Sequence, residues 1–298
     1  MPMYEYADVF ERQLQQKWER EMVSYELTQS HPEIKFLNAQ TIKLPHLSVS
    51  GYKDHDRSTA GFNAGSVSNE WTPKKLEHDR DIEMWLDPMD VDETNLVVEM
   101  ANIQNVFETE QAIPEKDSYR FSKIHQEAVM YKDSGAIVDT SVLDKTNILT
   151  WFDEQMSVMD DASVPEEGRI LYATSAFKKL FKQAEGITRT ISVGAAGTIN
   201  RKVHSVDDVI IKTVPSARFK TVYDFSNGCV PATTAKQMNA MLIHPDAVVS
   251  RDKYSYIKLF TPGTDSRTAD GYLFQNRYYT DTFVMERKAC GICINVEA

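Results

Sequence analysis

The sequence predicts an α+β fold in which an extended two-stranded excursion precedes a long helix and a mixed α/β region. Residues 41–49, TIKLPHLSV, alternate apolar and polar residues as a strand does. Residues 92–132 repeat apolar residues at helical spacing, and short strand-like and helix-like segments alternate between residues 138 and 275. With 298 residues, of which 42% are hydrophobic, the chain can bury a sizeable core.

Composition argues against several classes of protein. The chain has 33 basic and 44 acidic residues and a net charge of −11, which argues against a broad surface that grips nucleic-acid phosphates. It has no run of about 18 apolar residues that could span a bilayer. Its first residues, MPMYEYADVFERQ, lack the basic-then-apolar order of a secretory signal. We therefore expect a protein that stays in a cytoplasm.

Residues 1–35 are predicted to contain an amphipathic helix. Phe10, Leu14, Trp18 and Met22 recur at a spacing of four with charged residues between them, and His31-Pro32 ends the pattern. This apolar stripe has no obvious partner within its own short region. We expect it to pack on another subunit or on the long helix.

The predicted strand at 41–49 contains an irregularity at Pro45. Its apolar positions change there from Ile42 and Leu44 to Leu47 and Val49, that is, from even to odd residues. Proline donates no hydrogen bond to a neighbouring strand, so we expect an edge strand or a bulge at this point.

Residues 51–81 are polar, glycine-bearing and too long for an ordinary tight connection. Strand-like runs bracket this segment at 41–49 and 80–86, so the simplest interpretation is a long two-stranded excursion. Such a ribbon is marginally stable in water by itself and should lie on something else. Its DHD and EHDRD motifs, at 54–56 and 77–81, contain the residue types of metal or acid–base sites. The lysines and arginines around them favour a surface of mixed charge that pairs with a neighbouring subunit.

The acidic stretch LDPMDVDETN, residues 86–95, invites a calcium-loop interpretation that its spacing contradicts. A loop starting at Asp90 would have Asn95 at its glycine position and Ala101 at its twelfth position, where a glutamate is required. Asp92, Thr94 or Asn95 can instead cap the start of a helix, whose positive end suits the neighbouring carboxylates.

The helix that follows carries Leu96, Met100, Ile103 and Phe107 on one stripe and reaches Pro114. A second periodic stretch begins at that proline, a residue suited to a helix start. The two stretches form one helix about 50 Å long if Pro114 causes only a kink.

The remaining candidate motifs favour structural interpretations. Cys229, Cys290 and Cys293 cannot form a disulfide framework, and CGIC lies in a strand-like region without a second ligand pair for zinc. GAAG, residues 194–197, lacks the lysine of a phosphate loop and suits a hairpin turn. His204-Ser205 beside Asp207-Asp208 lacks the arrangement of a hydrolytic triad. His244 follows a buried strand. The sequence therefore predicts no catalytic residue, no cofactor and no metal.

Four segments together resemble the major capsid proteins of tailed bacteriophages with the Hong Kong 97-type fold, particularly from phages of Gram-positive bacteria. These segments are DPMDVDETN, NVFETEQAIPEKDSYRFSKI, VPSARFKTVYDF and AKQMNAMLIHPDAVV, in this order and spacing. The resemblance covers residues 36–296.

The resemblance implies five regions. They are an N-terminal arm (1–35), an extended β-hairpin loop with flanking strands (36–91), a peripheral domain with a long spine helix (92–137), a mixed α/β axial domain (138–275) and a C-terminal strand that returns to the peripheral domain (276–298). In the axial domain, the sequence favours helices at NILTWFDEQMSVMDD and SAFKKLFKQAE and strands at GRILYATS and DDVIIKTVP.

The resemblance also implies a function, which is self-assembly into an icosahedral head shell that encloses the phage genome. The implied partners are other copies of the chain in hexamers and pentamers, a portal protein, a separate scaffolding protein where one is used, and double-stranded DNA enclosed without sequence-specific binding. Assembly would take place in the host bacterial cytoplasm, and the chain would reside in the virion. The candidate subunit-contact residues are Phe10, Leu14, Trp18, Tyr52, Asp54, Arg57, Phe62, Trp71, Lys74, Lys75 and Arg80.

Two alternatives remain open from sequence. One is a cytoplasmic α/β enzyme, a hydrolase or a metal-dependent enzyme, that uses residues 51–81 as an active-site lid. The other is the shell protein of a nanocompartment with the same fold. The mass of the native particle separates the enzyme, a small oligomer, from a shell protein.

Overall fold

A computed structural model describes residues 21–29, 41–55, 61–89, 100–184, 205–263 and 270–298. Helices and strands are both abundant in these ranges, which confirms the predicted α+β class. Among the described residues, no helix is both long and apolar enough to cross a membrane. Several predictions lie outside these ranges: the stripe residues Phe10, Leu14 and Trp18, the cap candidates Asp92, Thr94 and Asn95, the contact candidate Arg57, and the GAAG motif.

A six-stranded sheet forms the centre of the largest body. Its strands, in spatial order, are β4 (Ile137–Asp139), β13 (Ile292–Val296), β10 (Met238–Ile243), β5 (Ile170–Thr174), β7 (Val209–Val214) and β6 (Ser205–Val206). β5 pairs in parallel with β7, and β13 pairs in parallel with β4, whereas the other pairs are antiparallel.

Both faces of the six-stranded sheet are covered, and the side chains of each strand alternate between two cores. Ile170 and Tyr172 of β5 pack on the side of the long helix, with Phe121 of that helix. Leu171 and Ala173 point to the opposite core, which contains residues of α4 (Ile148–Asp161) and α5 (Ser175–Gln183). Because both faces are buried, β10 reads in sequence as the continuous apolar run MLI rather than as an alternating pattern.

The long helix is continuous through the described residues from Met100 to Met130. It consists of α2 (Met100–Phe107), a π-helical turn (Glu108–Ala112) and α3 (Ile113–Met130). Pro114 explains the π turn: it has no N–H, and its ring would clash with the carbonyl of the residue four positions earlier in a regular helix. The N–H of Ile113 instead reaches the carbonyl of Glu108, five residues back. The proline therefore widens one turn and leaves the helix unbroken.

A three-stranded antiparallel sheet lies against this helix. Its order is β11 (Val248–Phe260), β12 (Tyr272–Val284) and β3 (His78–Leu86). Ile103 and Phe107 of α2 pack on Leu86 and Phe274 of the sheet, and the rings of Phe107 and Phe274 meet edge to face at 6.2 Å. Ile103 and Phe107 are half-buried rather than fully enclosed.

A separate hairpin consists of β1 (Thr41–Val49) and β2 (Val67–Lys75). The returning strand is therefore not the run 80–86, as the sequence interpretation implied, because that run lies in β3 and pairs with β12. β2, VSNEWTPKK, shows no alternation of buried residues, so its sequence resembles a loop. Pro45 was predicted to lie in an edge strand or at a bulge, and the first is confirmed: in the described residues β1 pairs only with β2, and no register shift occurs at Pro45.

The end of the chain also differs in detail from the sequence interpretation. The predicted boundary between residues 275 and 276 falls inside β12, and β13 pairs within the six-stranded sheet. The CGIC motif is only partly in a strand: Cys290 lies in the last turn of a 3₁₀ helix (Glu286–Gly291), whereas Cys293 lies buried on β13.

The buried carboxylate of Asp117 on α3 joins three parts of the chain. It is fully buried and accepts hydrogen bonds from the main-chain N–H groups of Val23 (3.1 Å) and Ser24 (3.1 Å) and from the Ser24 hydroxyl (2.7 Å). It also pairs with Arg218 at 3.0 Å, in the turn that follows β7. These hydrogen bonds fix the segment before α1 (Glu26–Gln29) to α3. Leu27 of α1 is buried in the adjoining core.

Arg120, one turn further along α3, extends this polar cluster. Its Nε donates to the Ser250 hydroxyl at 3.1 Å, and its Nη1 donates to the Ser24 hydroxyl at 3.0 Å. Ser250 in turn shares a hydrogen bond with Thr282, so the same cluster reaches β11 and β12. Every one of these side chains is buried, so each depends on its partners in place of water.

We predict that Asp117→Asn lowers the free energy of unfolding by about 3 to 5 kcal/mol, because the substitution leaves the buried Arg218 without its counter-ion. Urea denaturation of the unassembled chain, followed by far-ultraviolet circular dichroism, measures the change. Asp133→Asn, at an exposed position just beyond α3, is the matched control and should change stability by less than about 0.5 kcal/mol. Equal midpoints for the two variants would contradict the assigned role of Asp117.

Candidate subunit interface

The β1–β2 hairpin presents two chemically different faces. Directly opposed residues of an antiparallel pair share a face, and successive residues alternate between faces. Ile42 and Leu44 lie on the inner face, where they are buried with Leu76 and with Val249 and Phe283 of the three-stranded sheet. This contact anchors the base of the hairpin to its own chain.

The outer face of the hairpin carries exposed apolar side chains. Leu47 is 63% exposed, Val49 65%, Val67 68% and Trp71 52%. Val49 lies directly opposite Val67, and Leu47 is the diagonal neighbour of both Val67 and Trp71. We call these four residues the outer stripe. Isolated exposed apolar residues are ordinary, but a contiguous group on one face marks an interaction surface.

The change of apolar phase at Pro45 now has a structural explanation. The strand continues in register, and its apolar residues move from the inner face at Ile42 and Leu44 to the outer face at Leu47 and Val49. The base of the hairpin therefore packs on its own chain, whereas the distal part presents apolar residues on the opposite side.

The tip of the hairpin continues this exposed surface. Tyr52 and Phe62 are fully exposed, and the ring of Phe62 lies 6.3 Å from that of His55. Asp54 is also exposed, and its main-chain carbonyl accepts a hydrogen bond of 2.8 Å from the amide of Asn63. In the described part of the tip, the Asn63–Asp54 hydrogen bond provides local order, whereas the side chains of Tyr52 and Phe62 bury no apolar surface.

Lys74 and Arg80, two of the predicted contact residues, bind within their own chain. Lys74 donates to the Tyr131 hydroxyl at 2.7 Å and lies 3.5 Å from the Glu127 carboxylate. Burial acts to lower the pKa of Lys74, but the hydrogen bond to Tyr131 and the charge of Glu127 outweigh it, and the pKa is raised. Lys74 therefore remains charged and holds β2 against the end of α3. Lys75, its neighbour, is exposed.

Arg80 occupies a second junction, at the start of β3. Its Nε donates to the Glu115 carboxylate at 2.7 Å, and its Nη1 donates to the carbonyl of Phe225. Glu115 also accepts a hydrogen bond of 2.8 Å from the Tyr278 hydroxyl. Arg80 therefore connects the three-stranded sheet to α3 and to the turn that joins β8 (Tyr223–Asp224) to β9 (Val230–Pro231).

His78 is enclosed by aromatic rings at the same junction. Its imidazole stacks on Tyr119 with ring centroids 3.7 Å apart and meets the edge of Phe225 at 5.1 Å. Burial, assisted by the charge of Arg80, lowers the pKa of His78 to about 3. Glu115 lies 3.7 Å away and would favour the charged imidazole, but this carboxylate is already paired with Arg80.

His244 and Cys293, two of the chemical candidates noted in the sequence, are both held within the fold. The imidazole of His244 is bonded at both nitrogens: Nε2 lies 3.1 Å from the carbonyl of Glu167, and Nδ1 accepts from the N–H of Asp246. Burial raises the pKa of the Cys293 thiol to about 12, which makes it a poor nucleophile. Within the described ranges, no group of three histidine, cysteine, aspartate or glutamate side chains is arranged to hold a metal ion.

The outer stripe was only partly found from sequence. Trp71 was named as a candidate, whereas Leu47, Val49 and Val67 were not. The change of apolar positions from even to odd at Pro45 was the sequence signal that Leu47 and Val49 face away from Ile42 and Leu44. Without the pairing of the strand, however, the sequence does not show which of the two faces packs on the core of the same chain. Val67 had no signal, because β2 contains too few apolar residues to show a period.

We predict that acid destabilises the protein partly through His78. An imidazole whose pKa is lower in the folded state contributes stability above its unfolded pKa of about 6.5, and this contribution is lost as the pH falls from there toward 3. His78→Gln should reduce the loss of unfolding free energy between pH 7.5 and pH 5 by roughly 2 kcal/mol.

Urea midpoints at the two pH values measure this difference. His55→Gln at the exposed hairpin tip is the control and should retain the wild-type pH dependence. A His78→Gln variant with an unchanged pH dependence would show that the pKa of His78 is the same in the folded and unfolded states, and would contradict the effect of burial on this imidazole.

Comparison with known proteins gives matches at the level of structure. No protein-family model matches the sequence, and no curated protein does so either. Among solved structures, a chain from the mature capsid of bacteriophage PhiM1 superposes with a TM-score of 0.69 at 13% identity, over 98% of this chain and 92% of that chain.

Two further solved structures match over a similar share of the chain. The capsid of cyanophage P-SCSP1u gives a TM-score of 0.65 at 12% identity, over 98% of this chain and 93% of that chain. A chain of Mycobacterium phage Che8 gives 0.65 at 11% identity, over 97% and 96%. Identities this low establish the fold alone, and nearly the whole length of each chain takes part in it. The chain therefore has a phage capsid fold, as its sequence resemblance predicted.

Proposed function

We propose that this chain is the shell-forming structural protein of a bacteriophage head, and that its hairpin lies on a neighbouring copy. The observation that carries the proposal is the outer stripe. The hairpin is anchored to its own chain by Ile42 and Leu44 on one face, while Leu47, Val49, Val67 and Trp71 on the other face remain exposed.

The energetics favour burial of the outer stripe against another chain. A two-stranded ribbon buries too little surface to be stable by itself. Each residue of the outer stripe contributes about 1 to 2 kcal/mol when it is transferred from water into an interface. A contact of this kind recurs in every copy of a closed shell, so a modest gain per copy is multiplied.

The five regions implied by the resemblance take their roles within this proposal. Residues 1–35 act as an arm, residues 36–91 contain the extended hairpin, and the helix within 92–137 is the spine of a peripheral domain. The six-stranded sheet belongs mainly to the axial domain of residues 138–275, and β13 of the segment 276–298 completes it. The candidate contacts Phe10, Leu14, Trp18 and Arg57 and the cap candidates Asp92, Thr94 and Asn95 keep their proposed roles.

The proposal extends to the partners and location of the protein. Copies associate as hexamers and pentamers, with a portal protein and, where one is used, a scaffolding protein. The shell encloses double-stranded DNA, and the net charge of −11 suits a container that must not adhere strongly to phosphate. Assembly takes place in the host cytoplasm.

The enzyme alternative has less support. The segment proposed as a lid contains β2, which pairs with β1 in a hairpin whose outer face carries exposed apolar residues, and His244 is committed to main-chain contacts. A nanocompartment shell of the same fold makes the same interfaces and differs only in what it encloses.

Truncation of the hairpin tests the proposed function. Replacing residues 47–69 by Asn-Gly closes β1 and β2 at the opposed pair His46 and Glu70 with a turn that suits a two-residue hairpin. This truncated variant keeps the buried base but loses three residues of the outer stripe. We expect a folded chain with a nearly unchanged melting temperature that no longer assembles.

Sedimentation velocity and negative-stain electron microscopy measure assembly at matched concentrations. Val230→Ala, which shortens an exposed apolar residue remote in sequence from the hairpin, is the control and should assemble like the wild type. Particles of normal size and yield from the truncated variant would contradict the proposed role of the hairpin and favour a lid.

A further inference from the structure

The turn between β8 and β9 contains an asparagine followed by a glycine. Asn227 is the only asparagine of the chain whose next residue is glycine. Asn227 and Gly228 are both exposed, and Gly228 has a φ of +79°. Among the described residues, no atom of a non-neighbouring residue lies within 4 Å of the place where a Cβ of Gly228 would stand. The main-chain nitrogen of Gly228 can therefore be approached without the obstruction that a side chain would cause.

Hydrogen bonds do not restrain either of these two groups. Within the described ranges, the side-chain amide of Asn227 and the N–H of Gly228 have no hydrogen-bond partner in the protein. Asn147, which is also exposed, is held at both ends of its amide: Oδ1 accepts from the N–H of Asp144 at 2.8 Å, and Nδ2 donates to the carbonyl of Val142 at 2.9 Å. Both asparagines are exposed, but only the side chain of Asn227 is free to turn toward the main chain.

We propose that Asn227 is a site of spontaneous deamidation. The main-chain nitrogen of Gly228 attacks the side-chain carbonyl carbon of Asn227, loses its proton to solvent and displaces ammonia, which leaves a cyclic succinimide. Water then adds to either carbonyl of this ring and opens it, so the product is aspartate or isoaspartate. Over the whole sequence a water molecule is consumed and ammonia is released, and no oxidant or other co-reactant takes part. This inference does not depend on the proposed function.

The chain is held on both sides of the modification site. Before the site, the carbonyl of Phe225 accepts a hydrogen bond from Arg80, and the ring of Phe225 meets the His78 ring edge to face at 5.1 Å. After the site, the half-buried Cys229 bonds to Ser118 of α3 through its thiol. The residues between these two anchors are all exposed. The apex of the turn is therefore open to water, whereas its two ends are fixed to the body of the protein.

The two products of deamidation differ in their effect on this turn. Both replace a neutral amide by a carboxylate, so each adds one negative charge to a chain whose net charge is −11. Isoaspartate also routes the main chain through the side chain, which adds a carbon atom between Phe225 and Cys229. Because both of these residues are held, the longer turn fits only if one anchor is strained or released. We therefore expect isoaspartate, but not aspartate, to lower the melting temperature.

Peptide mapping of aged protein tests the proposal. The purified, unassembled chain is incubated at pH 8 and physiological temperature, and samples are then unfolded, digested with trypsin and analysed by mass spectrometry. In the tryptic peptide 221–236, Asn227 is the only side-chain amide. We expect this peptide to accumulate the mass increase that converts an amide into an acid and to separate into an aspartate form and an isoaspartate form. The internal control is peptide 146–169, in which the β-branched Ile148 follows Asn147. Asn147 should remain unmodified.

Hydroxylamine and a synthetic peptide complete this test. Hydroxylamine attacks a succinimide, so it should cleave the folded wild-type chain into residues 1–227 and 228–298 and leave the variant Asn227→Ser intact. A synthetic peptide of residues 221–236 gives the rate of deamidation without the fold. If this peptide is modified while the folded chain is not, or if Asn147 is modified as fast as Asn227, the proposal is wrong.

The variant Asn227→Asp separates the effect of charge from the effect of the main chain. It carries the charge of the deamidated chain on a main chain of normal length, and it should melt like freshly purified wild type. The deamidated fraction of the aged wild type, isolated by anion exchange and containing isoaspartate, should melt at a lower temperature than Asn227→Asp. Equal melting temperatures for this fraction and the variant would overturn the part of the proposal that rests on the two anchors.

Discussion

The buried carboxylate of Asp117 is the constraint on which the arrangement of the rest depends. It lies in the second turn of α3 and is bonded to the segment before α1 and to the turn after β7. Through Ser24 and Arg120 the same cluster continues to Ser250 and so to the three-stranded sheet. A charge held without water must keep all of its partners, so elements far apart in sequence are fixed in one relative position.

That fixed body determines where the hairpin can project. Ile42 and Leu44 pack on β11 and β12, and Lys74 binds Tyr131 and Glu127 at the end of α3. Because the base is held on its inner face, the outer stripe faces away from the chain's own core. An anchored base with an exposed distal stripe is the arrangement that an intermolecular strap requires, and the tip adds Tyr52 and Phe62 to it.

Sequence reasoning found the elements whose periodicity is strong and missed those whose identity depends on their partners. The helices at 148–161 and 175–183 and the strands at 170–174 and 209–214 were all predicted, since each pattern is local. From the sequence, the long helix was expected to be continuous only if Pro114 caused no more than a kink. The sequence could not specify the π-helical turn by which the helix accommodates this proline. β2 was taken for a loop because its side chains are almost all exposed, and exposure removes the alternation by which strands are recognised.

The sequence likewise predicted only part of the candidate interface. The length and mixed charge of residues 51–81 pointed to a segment that acts between subunits, and Trp71 was identified as an apolar residue within it. Lys74 and Arg80 were assigned to the same surface on charge alone, although their partners Glu127 and Glu115 lie about 50 and 35 residues further along the chain. Assigning the hairpin residues to an inner and an outer face requires the pairing register of β1 with β2. The sequence of one strand alone does not specify this register.

Electron cryomicroscopy of the particles formed by the unmodified chain tests the central claim most directly. The account predicts a closed shell in which the base of the hairpin stays on its own subunit and the distal part places Leu47, Val49 and Val67 against a neighbour. A stable monomer or small oligomer at high protein concentration, with the outer stripe still exposed to solvent or folded back on its own chain, would contradict it.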